Sequence, residues 1–206
     1  SLGAVRAWLP PGVRYVDIFT GTIYDGDKEL NLYRPLHQYP VLAHEGSIIP
    51  LDATPTLPNG GPNPESFEIL VVVGKDGFFD VVEDTCDDSP AAHQSEDKHK
   101  QRCTPISYKQ TSGRLTIGPA KWEADARDTK RSWTIKFLSY RPAKLENVRV
   151  SVSGGASLQP EITSESFPVT PALIVKVPSV SSEAEIIIDL GEDPQLDILD
   201  IRASVH

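Results

Sequence analysis

Short runs in which apolar and polar residues alternate recur along the whole chain, and helical periodicity is scarce. Alternation with a period of two is typical of a strand with one buried face, because successive side chains point to opposite faces of a sheet. Turn-forming sequences at 10–12 and 24–27 separate the early runs. The strands predicted in this first part cover 4–9, 14–20, 29–34, 39–44 and 46–51.

A second series of strands follows a segment rich in Pro and Gly. Residues 53–64, ATPTLPNGGPNP, predict a linker. The strands predicted after it cover 67–73, 78–83, 114–117, 132–139, 148–153, 172–177 and 184–190. The GKDG sequence at 74–77 predicts a hairpin turn between the first two of them. Residues 194–206 fit either a short helix or one more strand.

Together these patterns predict an all-β protein with two antiparallel β-sandwich domains. Short strands with turn residues between them are typical of a sandwich. We place the first domain at residues 1–64 and the second at residues 65–206, with the Pro- and Gly-rich segment at their boundary.

The charge balance excludes some partners. Asp and Glu number 29 against 20 Lys and Arg, a net charge of −9, which argues against nucleic acid or an anionic membrane surface as a partner. No apolar run approaches the roughly 18 residues that a membrane helix needs. The sequence contains no Met and begins at Ser1, so we expect it to be a piece of a longer polypeptide.

The stretch RPLHQYPVLAHEGSIIP, residues 34–50, brings two histidines and a glutamate close together in sequence. A zinc site on a helix needs two His four residues apart, whereas His37 and His44 are seven apart. On a strand, that odd spacing places the two rings on opposite faces. The stretch therefore predicts strands, with His44 as an ordinary half-buried side chain, rather than a metal or acid/base site.

A polar segment between two cysteines is the second candidate. Its acidic residues Glu83, Asp84, Asp87 and Asp88 lack the alternating ligand pattern and central Gly of a calcium-binding loop. We therefore predict no calcium site in this segment.

The same segment offers four zinc ligands by count, namely Cys86, His93, His99 and Cys103. It lacks the close pair of cysteines that begins most structural zinc sites. We favour a disulfide between Cys86 and Cys103, which would close a loop of about 15–20 residues and stabilise the fold by about 3 kcal/mol. Such a bond needs an oxidising compartment and would favour an extracellular location, which the sequence otherwise leaves open.

No other motif predicts catalytic chemistry or a cofactor. The sequence has no nucleophile elbow, phosphate-binding loop or dinucleotide fingerprint. Trp133 alternates with Ile135 and Phe137, which predicts a core position, whereas Trp122 is a candidate for contact with a sugar. Two further functions stay open from the residues alone: a carbohydrate-binding module that uses Trp122 or the tyrosines of 24–33, and an immunoglobulin-like interaction domain.

The order of several motifs resembles one family. WLPPGVRYVDIFTGTIYDG at 8–26, followed by PLHQYPVLAHEGSIIP at 35–50, resembles the region after the catalytic barrel in glycoside hydrolase family 31, the α-glucosidase and α-xylosidase family. The matching positions are Leu9, Pro10, Gly12, Asp17, Thr20, Gly21, Pro35, Leu36, Pro40, Val41, Gly46, Ser47, Ile48, Ile49 and Pro50. Tyr15 and Phe19 stand where the family has Trp, and His44 stands where it has Arg. Residues 67–88 resemble the start of the family's distal domain.

The resemblance implies a chain without catalytic residues, metal or cofactor of its own. In this family the catalytic Asp residues lie on a (β/α)₈ barrel, upstream of the matching region. The implied partner is that barrel of the same polypeptide, and the implied substrate of the parent enzyme is an α-glycan, through hydrolysis of α-linked glucosides or xylosides. The family also has strands before the position of Leu2, so the first sandwich is expected to be incomplete, with open edges.

Overall fold

The computed structural model describes residues 2–54, 63–84, 101–122, 129–154, 159–166 and 170–198. Its regular structure is almost entirely β-strand, which confirms the predicted all-β class. Two short 3₁₀ turns, at Gln110–Ser112 and Leu145–Asn147, are the helical elements within these ranges. The strands, in chain order, are β1 (Leu2–Leu9), β2 (Arg14–Asp17), β3 (Ile23–Asp25), β4 (Lys28–Pro35), β5 (Leu42–His44), β6 (Ile48–Asp52), β7 (Ser66–Val71), β8 (Gly77–Asp84), β9 (Gln101–Lys109), β10 (Arg114–Ile117), β11 (Lys121–Trp122), β12 (Lys130–Leu138), β13 (Arg149–Val152), β14 (Glu161–Ser166), β15 (Pro171–Ser181) and β16 (Ile186–Asp189).

The strands form four sheets. Two are small: β1 pairs with β4, and β3, β2 and β5 form a three-stranded sheet. The two larger sheets have the orders β14-β15-β12-β7-β6 and β11-β9-β10-β16-β13, and β8 also pairs with β9 in the second. The β7–β12 pair is parallel, and the other pairs among the described strands are antiparallel.

The inward faces of the two large sheets share one hydrophobic core. In β12 every second side chain is buried, and the same alternation runs through β9 and β10. Ile135 and Phe137 of one sheet and Ile106 of the other are fully buried in a single cluster. Burying one such side chain contributes about 1.5–3 kcal/mol, so this core is the main source of stability. The sandwich predicted from the alternating pattern is therefore present.

Trp133 lies in this core, as its alternation with Ile135 and Phe137 predicts. Its ring is 4% exposed and stacks on Phe67 of β7, with 5.1 Å between the ring centroids. The two rings lie side by side because Trp133 and Phe67 are register partners in the parallel β12–β7 pair. The stack therefore joins β12, the central strand of the five-stranded sheet, to its neighbour β7.

The hairpin predicted at 74–77 is wrong. β7 belongs to the five-stranded sheet and β8 to the six-stranded sheet, so the turn crosses from one layer of the sandwich to the other. The backbone groups of the turn are bonded elsewhere: Val72 O accepts from Gly46 N, and Gly74 N donates to Gln110 Oε1. These partners satisfy the turn without any pairing between β7 and β8.

Four of these strands were not predicted from the sequence, and β9 is the longest of them. Pro105 interrupts its sequence, and its inward positions at one end are the polar residues Arg102 and Thr104. A polar residue facing the core hides the alternating pattern that predicts a strand. The other three are β3, β11 and β14.

For the C-terminal segment, residues 194–206, the sequence predicted either a short helix or one more strand. Its described part forms neither, since residues 191–198 lie outside regular structure.

β6 lies within residues 1–64, yet it hydrogen-bonds to β7 and forms an edge of the five-stranded sheet. Most of the predicted linker, residues 55–62, lies outside the described residues. The division into domains at 1–64 and 65–206 stays a prediction.

Candidate functional site

A polar junction fastens the three-stranded sheet to the turn that leads from β7 to β8. Glu45, which follows β5, is 7% exposed and accepts from the backbone and the side chain of Arg14 at the start of β2. The two atom pairs, Arg14 N to Glu45 Oε2 and Arg14 Nε to Glu45 Oε1, are each 2.8 Å apart. A bidentate, charge-assisted contact of this kind fixes both orientation and distance.

Glycines let the backbones at this junction come into direct contact. Gly74 has φ +118°, and a Cβ there would overlap the carboxylate of Glu45. A Cβ on Gly77 would overlap the carbonyl oxygen of Gly46. Lys75 Nζ donates to Gly12 O at 2.7 Å, which adds a polar contact at the rim. The junction is therefore closely packed, and neither Gly74 nor Gly77 has room for a side chain.

A second junction holds the turn after β2. The carbonyl oxygen of Gly21 accepts from Ser139 Oγ at 2.7 Å and from Thr170 Oγ1 at 2.9 Å. Both hydroxyls are buried, at the end of β12 and just before β15. This bifurcated contact ties the small sheet to the five-stranded sheet at a point separate from the Glu45 junction.

Asp17 organises the same turn from within. Its side chain is fully buried, and Oδ1 accepts from the backbone of Phe19 at 2.9 Å and of Thr20 at 3.1 Å. The carboxylate is also ion-paired with the largely buried guanidinium of Arg34 in β4. Buried carboxylates need such partners, since an unpaired one would carry a large desolvation cost. Asp17 thus links the turn to the two-stranded sheet.

The turn presents Phe19 to solvent beside Tyr39. Their side chains are 49% and 70% exposed, and their rings are nearly perpendicular, at 88°, with centroids 6.4 Å apart. A backbone hydrogen bond from Ile18 N to Val41 O, 3.0 Å long, brings the two loops together. We call Phe19 and Tyr39 the aromatic corner.

One face of the β1–β4 sheet is open. Opposite residues in the register, such as Trp8 with Glu29 and Ala4 with Tyr33, lie on the same face. On this face Trp8 is 62% exposed, Tyr33 is 56% exposed and Leu2 is exposed as well. The exposed Arg6–Glu29 ion pair and Asn31 lie on the same face. We call its apolar part, Leu2, Trp8 and Tyr33, the open apolar face, and exposed apolar side chains of this kind often mark a contact surface in soluble proteins.

A cluster of three buried charged side chains joins β8, β9 and β12. Glu83 of β8 accepts from Arg102 Nε at 2.6 Å and from Arg131 Nη2 at 2.9 Å. The guanidinium of Arg102 also donates to Thr129 Oγ1. Since all three charged side chains are less than a tenth exposed, each depends on the others for compensation.

Gln110 connects three further parts of the sandwich. Its Oε1 accepts from Tyr108 Oη at 3.0 Å, and its Nε2 donates to Asp193 Oδ1 at 2.8 Å. Burial raises the pKa of Tyr108 well above its ordinary value. The contact with Lys109 lowers the pKa of Asp76, which also accepts from Gln110 N. Gln110 thus ties the end of β9 to the turn after β7 and to the segment after β16.

The structure does not bring the first predicted candidates together as a site. His37 and His44 are both exposed, and His44 Nδ1 lies 2.7 Å from its neighbouring carbonyl, Glu45 O. The expectation of a half-buried His44 is wrong, because β5 turns this side chain to solvent. Among the described residues no three His, Cys, Asp or Glu side chains are grouped as metal ligands, and no helix is long and apolar enough to cross a membrane.

The remaining predicted candidates fall partly outside the described residues. Cys103 is half-buried on β9, opposite Val82, and burial raises the pKa of its thiol. Cys86 lies outside the described residues, as do His93, His99, Asp87 and Asp88, so the disulfide with Cys103 stays a prediction. The backbone of Trp122 pairs with Arg102, while its side chain lies outside the described part, so its contact with a sugar also stays a prediction.

Sequence reasoning missed the polar residues that shape these junctions. Asp17 did carry a signal, since it is one of the positions that match the family motif. Glu45 was noticed only as a neighbour of His44, and nothing in its spacing indicated Arg14 as its partner. Arg102 and Arg131 gave no signal, because each occupies an inward strand position normally filled by an apolar side chain.

Comparison with known proteins agrees with the motif resemblance. Residues 2–49 match the family model described as the glycosyl hydrolase family 31 C-terminal domain. A search of the curated proteins finds no match. The matched segment runs from β1 into β6, so it includes both small sheets, the aromatic corner and Glu45.

Solved structures share the fold of nearly the whole chain. ER glucosidase II, in its heterodimeric complex, aligns with a TM-score of 0.61 at 19% identity, covering 91% of this chain and 21% of that one. A dextranase of Flavobacterium johnsoniae aligns with a TM-score of 0.57 at 18% identity, covering 91% of this chain and 24% of that one. An uncharacterised protein of Listeria monocytogenes gives 0.54 at 16% identity, with 91% and 17% covered.

The chain spans less than a quarter of the length of each of these proteins. At such low identities the structural likeness shows the fold. The family match covers residues 2–49, and over the rest of the chain the comparisons show a shared fold.

Proposed function

We propose that this chain is the non-catalytic C-terminal β-region of a family 31 α-glycosidase, whose catalytic barrel hydrolyses α-linked glucosides or xylosides. The observation that carries the proposal is the match of residues 2–49 to the family's C-terminal domain, on a fold shared with much longer proteins of that family. The chain's own contribution is to brace the barrel and to shape the margin of its substrate pocket.

The open apolar face supports a bracing role. Trp8 and Tyr33 expose large rings on a two-stranded sheet, and such a pair of strands has little stability without a packing partner. The occupant we propose is the catalytic barrel of the same polypeptide. The contacts of Glu45 and Gly21 support the same role, because they hold the three-stranded sheet on the sandwich. The ion pair of Asp17 with Arg34 ties the two-stranded sheet to it.

The catalytic part of the proposal is tested by assaying the isolated chain with p-nitrophenyl α-glucoside and α-xyloside. We expect no turnover above the uncatalysed rate, and turnover would overturn the assignment as a non-catalytic region.

The bracing part is tested by adding the chain in trans to a parent enzyme truncated before Ser1. We expect activity to return with the native chain and to be lost with Trp8→Lys. Phe78→Lys, at an exposed phenylalanine on β8 of the sandwich, is the matched control and should restore activity. Equal activity with both variants would contradict docking through the open apolar face.

A further inference from the structure

We propose that the aromatic corner, formed by Phe19 and Tyr39, binds an α-linked gluco-oligosaccharide as a non-catalytic sugar site. The inference rests on the proposed function, because the proposed ligand belongs to the substrate class of the parent glycosidase. It concerns residues separate from the open apolar face, and none of them was a candidate for sugar binding in the sequence.

The geometry of the two rings favours a pyranose. A sugar ring has an apolar C–H face and a polar rim, so it packs on an aromatic face while its hydroxyls stay in water or bond to nearby polar groups. The two rings meet edge to face, at 88° with centroids 6.4 Å apart, so each covers at most one face of the other. Because both side chains are exposed, ring surface remains accessible to a sugar. Exposed polar residues, His37 and Gln38, directly precede Tyr39 and supply hydrogen-bonding groups along that loop.

The support beneath Phe19 is the second observation. The turn that carries it is held by Asp17 Oδ1, which accepts two backbone N–H groups, and by Gly21 O, which accepts two buried hydroxyls. Asp17 itself is fully buried and ion-paired with Arg34. The backbone that carries Phe19 is therefore fixed before a ligand arrives, which lowers the conformational entropy of the turn that would be lost on binding.

The aromatic corner differs from the exposed Phe78 of β8. Phe78, although 64% exposed, lies on β8 and makes no ring contact with another aromatic side chain among the described residues. Phe78 therefore serves as a matched control for exposure without pairing.

The test is a titration of the 206-residue chain with maltotriose and with isomaltotriose, followed by backbone amide chemical shifts. We expect shifts that saturate in the millimolar range and centre on residues 17–21 and 37–41. Phe19→Ala and Tyr39→Ala should each weaken binding by about tenfold or more, whereas Phe78→Ala should change it less than about twofold. Tyr39→Ala guards against a folding defect, because its side chain is 70% exposed.

Absence of saturable shifts with both trisaccharides would overturn the inference, and so would full binding by either corner variant. The trans assay of the bracing role uses Trp8 and leaves the aromatic corner intact. Failure of the sugar titration therefore leaves the bracing role standing, and failure of the trans assay is visible separately from it.

Discussion

Glu45 receives both the backbone N–H and the guanidinium of Arg14, 31 residues earlier, and its carboxylate lies directly against the backbone of Gly74. One side chain thus connects β2, β5 and the turn that crosses between the sandwich layers. This contact explains how a block of very short strands is held in one orientation on the larger core.

The Glu45 junction predicts a strong effect of a single methyl group. Gly74→Ala places a Cβ into the Glu45 carboxylate and also requires an alanine at φ +118°. Gly12→Ala is the matched control, because Gly12 has φ +90° and a Cβ there would meet no atom within 4 Å. We expect Gly12→Ala to cost about 1–2 kcal/mol of backbone strain. Gly74→Ala should cost at least about 2 kcal/mol more, since the Arg14–Glu45 pair must also move.

Urea unfolding of both variants measures these free energies. Equal losses would mean that Glu45 yields without cost and that the junction is not closely packed.

The buried charges at the end of the core give the second prediction. Glu83→Gln removes the carboxylate that pairs with both Arg102 and Arg131, so both guanidinium groups lose charge compensation inside the fold. We expect a loss of about 3–5 kcal/mol, as for other buried pairs that lose one partner. Glu29→Gln, in the exposed pair with Arg6, should cost less than about 1 kcal/mol.

Thermal and urea denaturation distinguish the two cases. A small effect of Glu83→Gln would show that other groups or water compensate the two arginines.

Tyr108 predicts how stability falls at alkaline pH. Burial raises the pKa of its hydroxyl in the folded state above the ordinary value of 10.0. The unfolded chain therefore loses this proton first, and the free energy of unfolding decreases as the pH rises above about 10. Tyr108→Phe removes the group and should give a shallower decline between pH 9 and about 11, together with a lower stability at pH 8 from the lost hydrogen bond to Gln110.

Urea titrations at each pH provide the two curves. Parallel curves for the native chain and the variant would show that Tyr108 does not control the alkaline decline.

The predicted disulfide between Cys86 and Cys103 has a direct chemical test. In the unfolded chain without reductant we expect no reactive thiols, and two after reduction. In the reduced, folded chain Cys103 should react slowly with iodoacetamide, because burial and the neighbouring Asp80 raise the pKa of its thiol. Two free thiols before reduction would exclude the bond.

More of the fold than of the polar junctions could be predicted from the sequence. Strands such as β10 and β12 were predictable, because their alternation reflects one buried face. β9 was not, because Arg102 and Thr104 face inward and Pro105 interrupts the run. The turn at 74–77 was misread because the same Asp-Gly sequence serves a hairpin or a crossing between sheets. Only its partners, Gly46 and Gln110, decide between the two.

The candidate surfaces were even less predictable from the sequence than the strands and turns. The pairing of Phe19 with Tyr39 depends on a hydrogen bond between two loops, from Ile18 to Val41, that no local pattern encodes. The family motif did indicate the right region, since Asp17 and Gly21 both belong to it. Their roles, as a buried acceptor and a carbonyl anchor, come from contacts between parts of the chain far apart in sequence.

The most direct measurement of the central claim is the sequence of the transcript that encodes this chain, read upstream of Ser1. The account predicts a (β/α)₈ barrel in the same reading frame, carrying the catalytic Asp residues of glycoside hydrolase family 31. A start codon immediately before Ser1, or an upstream domain of another class, would contradict it.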